Sequence, residues 1–306
     1  MKVIIISQKN EFSQNHIDKI RKYAEVVWID KDETDLMKVR ELFDPEEKIV
    51  ALSPVPLGWK IDPGFYNKLQ NLKAVCLATT AYDYLNVSVL REQRIIVTNV
   101  PYYSTNAVAE YAFFMFMALL KKFPQQLKSG FKYEFSDMNL MDEFDGKTVG
   151  IIGLGNVGSK IAYMVKELGF KIIYWSRDKK NNEFRFVSLN EVISQSDVVF
   201  PTFISSKETK DLLKKEILIN LKDSAYFINI IGEKICDTDY LLARAENNNL
   251  TGLAFESGKR KMEDYTGNIF ITAPLAWYTK QSLKRNIDIW TDTIISCVKC
   301  TPINSV

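Results

Sequence analysis

A chain of 306 residues exceeds what one hydrophobic core comfortably fills, so two domains are the first expectation. With 46% hydrophobic and 25% charged residues, the composition is that of an ordinary soluble globular protein and argues against a disordered or fibrous chain. Lysine and arginine total 40 against 38 acidic residues, which gives no electrostatic case for nucleic acid or an anionic membrane as partner.

The chain opens on KVIIIS, which follows Met1 directly and lacks the apolar length and small-residue cleavage site of a secretory signal; a cytoplasmic location is expected. Five β-branched runs then alternate with helical stretches: VIIIS (3–7), VVWID (26–30), IVAL (49–52), AVCLA (74–78) and IIVT (95–98). That alternation predicts a parallel sheet covered on both faces. The segment STNAVAEYAFFMFMALLKKF (104–123) opens on cap-type residues and predicts one long helix, too short and too interrupted by Glu110 to cross a bilayer. A second alternating series follows, with strands TVGIIG (148–153), KIIYW (171–175), DVVFP (197–201), AYFINI (225–230), TGLAF (251–255) and FIT (270–272). Six strands in this order fit a doubly wound nucleotide-binding domain. The last stretch, 280–300, has helical spacing and ends in the C-x-x-C pair Cys297 and Cys300. With no second pair or histidine nearby, these cysteines, like Cys76 and Cys236, read as small hydrophobes, and no metal site is expected.

The chemistry-bearing motif is GLGNVG, Gly153 to Gly158, between a strand and a helical run. Gly153 permits the tight turn, Gly155 lets the backbone approach a pyrophosphate, and Gly158 allows close helix–strand packing. The amides of Asn156 and Val157, at the helix start, then face the phosphates. Pro201, at the end of a neighbouring strand, completes the expected cradle. After KIIYW, Ser176 stands where an NAD site places an acid for the ribose 2′-hydroxyl, followed by Arg177, Lys179 and Lys180, a cationic loop able to pair with a 2′-phosphate. NADP is the favoured cofactor. Asp178 leaves NAD open, and a solvated turn is the bland alternative.

Taken together, LKAVCLATTAYDYLNV (72–87), VTNVPYYSTNAVAEYA (97–112), GKTVGIIGLGNVGSKIA (146–162), SSKETKDLL (205–213), FINIIGEKICDTDYLL (227–242) and ITAPLAWYT (271–279) resemble the D-isomer-specific 2-hydroxyacid dehydrogenase family. The resemblance implies two Rossmann-like domains: a flavodoxin-like substrate domain from 1–101 plus 279–306, and a doubly wound cofactor domain from 102–278. It also implies an active-site cleft at the hinge and a homodimer. Family members clamp a 2-keto acid with an arginine, protonate the alkoxide with a histidine and orient that histidine with a glutamate.

Counting from Asn229, the arginine position is Gly232; from Glu256, the glutamate position is Lys261; the histidine position is Pro274, with Ala273 before it. All three positions lack the family's chemistry. An offset neighbour such as Lys234 does not offer arginine's planar fork, so the family's ordinary reaction is not expected. Tyr82, Tyr278 and Lys261 are the candidate proton donors, with Tyr102 and Tyr103 further phenols near the cleft, although a tyrosine is more often simply core or rim. Glu256 takes the place of a family aspartate that binds the nicotinamide carboxamide. Two readings follow: an NADP-dependent oxidoreductase for a small molecule other than a 2-keto acid, such as an imine, or an inactive homologue that senses cofactor or scaffolds a partner.

Overall fold

The β-branched amino-terminal run becomes β1 (Lys2–Ser7), buried along its whole length, because a central parallel strand is covered on both faces and therefore reads as a continuous apolar run. In the computed structural model, residues 1–306 are described apart from 9–10, 31–33, 63–64, 83, 137–138, 181 and 205–208. Part of the quoted 205–213 segment thus lies outside the described residues, as does Asp83. By backbone proximity the chain forms two units, Met1–Ser104 with Thr279–Val306, and Thr105–Tyr278.

The first unit continues through α1 (Gln14–Arg21), β2 (Glu25–Asp30), β3 (Lys48–Leu52), β4 (Leu72–Leu77), α2 (Val87–Glu92) and β5 (Ile96–Thr98). Its parallel sheet has the order β2-β1-β3-β4-β5, the flavodoxin-like arrangement. Ile4, Ile6, Val50, Leu52, Val75 and Leu77 form the centre of its core.

The second unit begins with α3 (Thr105–Leu120), whose apolar residues run round the helix and whose Ala109, Ala112, Met115 and Phe116 are fully buried. The ring of Phe116 meets Phe170, Phe200 and Tyr226 edge-on at centroid distances of 5.9, 6.2 and 5.8 Å, the arrangement the ring quadrupole favours. The single helix expected over 104–123 is divided: α3 stops at Leu120, and α4 (Phe123–Lys128) starts afresh with Pro124 in its first turn. The break falls at Lys122, whose φ is +52°. Proline at 124 explains it, since its ring blocks continuation of the preceding helix but suits a new first turn.

Then come β6 (Thr148–Ile152), α5 (Asn156–Lys166), β7 (Lys171–Trp175), β8 (Arg185–Phe186), α6 (Leu189–Gln195), β9 (Val198–Pro201), α7 (Lys215–Leu218), β10 (Tyr226–Asn229), α8 (Thr238–Glu246), β11 (Gly252–Glu256) and β12 (Ile269–Thr272). The sheet order is β12-β11-β10-β9-β6-β7-β8, all parallel. Six of the seven strands are those expected; β8 is two exposed residues at the sheet edge and too short to carry an apolar signature.

The carboxy-terminal α9 (Lys280–Val298) belongs to the first unit. Thr279 and Ser282 cap it reciprocally, which supplies acceptors for amides the helix itself cannot satisfy. Asn286 Nδ2 donates to the Ala78 carbonyl at 2.7 Å and Trp290 Nε1 to that of Cys76 at 3.0 Å, so α9 is fixed to the end of β4 by buried polar contacts.

Candidate functional site

Within the second unit the strand order reverses at β6, between β7 on one side and β9 on the other. In open parallel sheets the ligand crevice lies beyond the carboxyl ends of the strands at such a point. Register places Trp175, Ile152 and Pro201 in one row. Ser176, Gly153 and Thr202 therefore leave the sheet side by side. The Gly153 amide donates to the Trp175 carbonyl at 2.7 Å, and the Thr202 amide to that of Ile152 at 2.8 Å.

The three glycines meet different demands. Gly153 has φ +99°, and a Cβ there would lie 2.8 Å from the backbone nitrogen of Phe203; conformation and space both exclude a side chain. A Cβ on Gly158 would sit 2.3 Å from the Gly153 carbonyl oxygen and 2.6 Å from Thr202 Oγ1. At Gly155, the N-cap of α5, a Cβ would meet only open space. That open side is where backbone can come close to a ligand. The first helical amides, those of Asn156, Val157 and Gly158, have no acceptor within the helix, and no acidic side chain occupies its first turn. This cradle suits the diphosphate of a dinucleotide, with the helix dipole favouring the negative charge. Thr202, which the sequence reading did not single out, donates its hydroxyl to the Gly153 carbonyl at 2.6 Å and pins the turn. Its position one residue past β9 at the reversal point was the available clue.

Beyond β7, Ser176 is buried and its hydroxyl donates to the Asp178 carbonyl. That proton is committed to the turn, which leaves the serine only acceptor capacity. Arg177, Lys179 and Lys180 are exposed on the same loop. The Lys180 amide donates to the Tyr174 hydroxyl at 3.0 Å, and its ammonium lies 3.9 Å from Asp178.

The three positions without the expected catalytic side chains lie on loops beyond β10, β11 and β12. Asn229, almost fully buried, accepts from the Ile231 amide at 3.1 Å and donates to the Gly232 carbonyl at 3.0 Å. The turn it closes gives Gly232 φ +110° and ψ +148°, a region essentially restricted to glycine. Next to it, Glu233 accepts from Arg260 Nε at 2.9 Å; Arg260 also donates to Asp239 at 2.7 Å and to the Tyr265 hydroxyl at 3.1 Å. These partners, Tyr265 foremost, hold the guanidinium firmly protonated. Arg260 was missed in the sequence because nothing marks which arginine a loop will fold around.

Lys261 is exposed, just before the short turn Met262–Asp264. Pro274 is exposed between Ala273 and Leu275, and this segment is held from below by Glu256, whose Oε1 accepts from the Ala276 amide at 2.8 Å. Burial pushes the Glu256 carboxyl above its usual range, while the amides of Ala276 and Leu275 pull the other way. Tyr278 is exposed, with its ring 5.2 Å from that of Trp277. Tyr82 and Tyr102 belong to the first unit and are exposed. Tyr103 is buried, which raises its phenol to about 12. Among the described residues no cluster of histidine, cysteine and carboxylate side chains could hold a metal, and no helix is long and apolar enough to cross a membrane.

Residues 113–261 match the model of the D-isomer specific 2-hydroxyacid dehydrogenase NAD-binding domain. The chain is 28% identical over 298 residues to a hydroxypyruvate reductase of Blautia hydrogenotrophica, covering 90% of each protein. It is also 28% identical over 262 residues to a glyoxylate reductase of Pyrococcus furiosus, covering 79% of this chain and 75% of that protein. Among solved structures, an acyclic imino acid reductase in complex with NADPH and D-Arg superposes with a TM-score of 0.86 at 24% identity over the whole of both chains. A glyoxylate reductase from Paecilomyes thermophila superposes with a TM-score of 0.88 at 18% identity, covering 100% of this chain and 98% of the other.

Proposed function

Because the chain belongs to the D-isomer-specific 2-hydroxyacid dehydrogenase family and is an oxidoreductase of that superfamily, we propose that it binds NADP(H) in preference to NAD(H) and acts on a substrate other than a simple 2-keto acid, an imine foremost. One observation carries this reading: Gly232, which the spacing from Asn229 assigns to the family arginine, holds φ +110° and ψ +148°, a conformation strained for an arginine; the same reading assigns Lys261 and Pro274 to the glutamate and histidine positions. The cofactor, when bound, supplies a hydride. A protonated imine is neutralised by it and needs no proton from the protein, whereas a 2-keto acid leaves an alkoxide that does. The similarity to an imino acid reductase solved with NADPH is in keeping with both halves of the proposal.

In this reading Gly153, Gly155 and the amides of Asn156, Val157 and Gly158 hold the diphosphate, beside Pro201. Arg177, aided by Lys179 and Lys180, pairs with the 2′-phosphate as a charge-assisted clamp. Since the Ser176 proton is committed to Asp178, discrimination rests on the cations. Glu256 faces the carboxamide, and Tyr82, Tyr278 and Lys261 are the groups able to pass a proton. Such an enzyme works in the cytoplasm as a homodimer; the exposed Phe131, Tyr133, Phe135, Leu140 and Met141 of the second unit supply an apolar strip for the second copy.

The alternative, a cofactor-binding homologue without catalysis, is favoured by the pairing of Arg260 with Glu233 and Asp239. That pairing leaves Arg260, the residue before Lys261, already neutralised. Titration of NADPH and NADH by fluorescence, followed by a turnover screen, separates the readings. Arg177→Ala is expected to weaken NADPH by about 10- to 100-fold and NADH hardly at all; equal effects on both would remove the phosphate clamp. Imines are expected to oxidise bound NADPH. Rapid turnover of glyoxylate or pyruvate would overturn the substrate assignment, and tight binding without turnover of any substrate would favour the homologue without catalysis.

A further inference from the structure

The carboxyl end of α9 carries an anomaly. The helix closes with the Cys300 amide donating to the Cys297 carbonyl at 3.1 Å and the Thr301 amide to that of Ser296 at 2.9 Å. This crossed pair of bonds leaves residue 300 in the left-handed region, where glycine is the usual occupant. Here the position is held by a cysteine with φ +58°, and its thiol is exposed. Backbone strain of this kind clusters at functional positions.

Three residues back along the same turn is Cys297, 5% exposed, and beneath it lies Cys76 of β4, fully buried. The Cys76 thiol donates to Cys297 Sγ across 3.7 Å. The three sulfurs thus form a series from solvent to core, all within the first unit. Turn geometry keeps the Cα atoms of Cys297 and Cys300 within about 7 Å, close to disulfide reach. The Cys76 hydrogen bond also lowers the pKa of Cys297 and so favours its thiolate, the nucleophilic form, while it raises that of Cys76.

We infer that Cys300 is an oxidation site that relays oxidising equivalents inward, through Cys297, to a disulfide between Cys76 and Cys297. The oxidant is a hydroperoxide. The Cys300 thiolate attacks its O–O bond, giving a sulfenic acid and releasing water or an alcohol. Cys297 attacks the sulfenic sulfur, forming the 297–300 disulfide while hydroxide leaves as water. Cys76 then attacks Cys297 Sγ; the 76–297 disulfide forms, and Cys300 departs as a thiolate that takes up the proton Cys76 gives up. In sum two thiols are oxidised, one hydroperoxide is reduced by two electrons, and Cys300 is regenerated. The product ties α9 covalently to β4, at the strand where Trp290 already bonds the Cys76 carbonyl.

Treatment of the full-length protein with hydrogen peroxide, thiol blocking and peptide mapping without reduction tests the relay. The expected result is a linked 76–297 peptide pair with Cys300 blocked as a free thiol. Cys300→Gly supplies the residue this turn favours, so the variant folds, and its 76–297 linkage is expected to form about tenfold more slowly or worse. Cys76→Ala is expected to stop at the 297–300 disulfide. Linkage of 76 and 297 at the wild-type rate in Cys300→Gly would overturn the relay. So would a wild-type protein in which Cys300 proceeds to sulfinic acid while Cys76 and Cys297 remain thiols.

Discussion

Gly232 shows how a single backbone angle restricts chemistry. A φ of +110° is open to glycine and strained for any L side chain, although a Cβ there would meet no neighbour within 4 Å. The obstacle to an arginine is conformational and not steric. Gly232→Arg is therefore expected to cost about 1–3 kcal/mol of stability in urea unfolding and to leave glyoxylate unreduced. A fully stable variant that gains glyoxylate reduction would show that the turn closed by Asn229 is not the barrier. The sequence offered Gly232 as the arginine position only by counting the family spacing from Asn229. The angle was not, since it depends on where Asn229 directs its amide after folding. Thr202 and Arg260 escaped for the same reason: their roles are contacts between loops distant in sequence.

At the level of elements, reading worked where a segment's own residues decide its form. The buried parallel strands announced themselves as β-branched runs, and the GLGNVG turn by its place between β6 and α5. It failed where one residue redirects the chain, as at Pro124, or where an element is only two residues long, as in β8. The tie between β11 and the segment 273–276 is a further case that only the fold reveals, because Glu256 serves that turn from the end of a strand. Burial raises its carboxyl pKa in the folded protein above the unfolded value. The folded state then holds this proton to higher pH, so its contribution to stability is complete below the ordinary glutamate range and is lost as pH rises through the folded pKa. Glu256→Gln keeps a carbonyl able to accept from Ala276 and removes the titration. Relative to that variant, the wild type is expected to lose urea resistance as pH rises above the ordinary glutamate range. Parallel curves for the two proteins would show that the amides of Leu275 and Ala276 offset the burial completely.

For the whole molecule, two doubly wound sheets of different order, five strands and seven, each reverse their strand order at one point, and the loops beyond the carboxyl ends there are free to diverge while the sheets stay recognisable. That accounts for a fold shared with reductases of several substrates, and it leaves room for the altered catalytic positions proposed here. Assembly follows a different logic. A net charge of only +2 gives little repulsion between copies, and the second unit leaves Tyr133 92% and Phe135 90% exposed, with their rings 5.2 Å apart. Aromatic side chains this open gain most by entering an interface between copies, where each buries up to about 150–250 Å². In the proposed homodimer, Tyr133→Asp combined with Phe135→Asp places two carboxylates in that interface and is expected to shift the protein from dimer to monomer by light scattering at micromolar concentration. Because these residues lie outside the sheet core, the thermal transition of the monomer should remain cooperative. A wild-type protein already monomeric, or a variant still fully dimeric, would assign the strip another role.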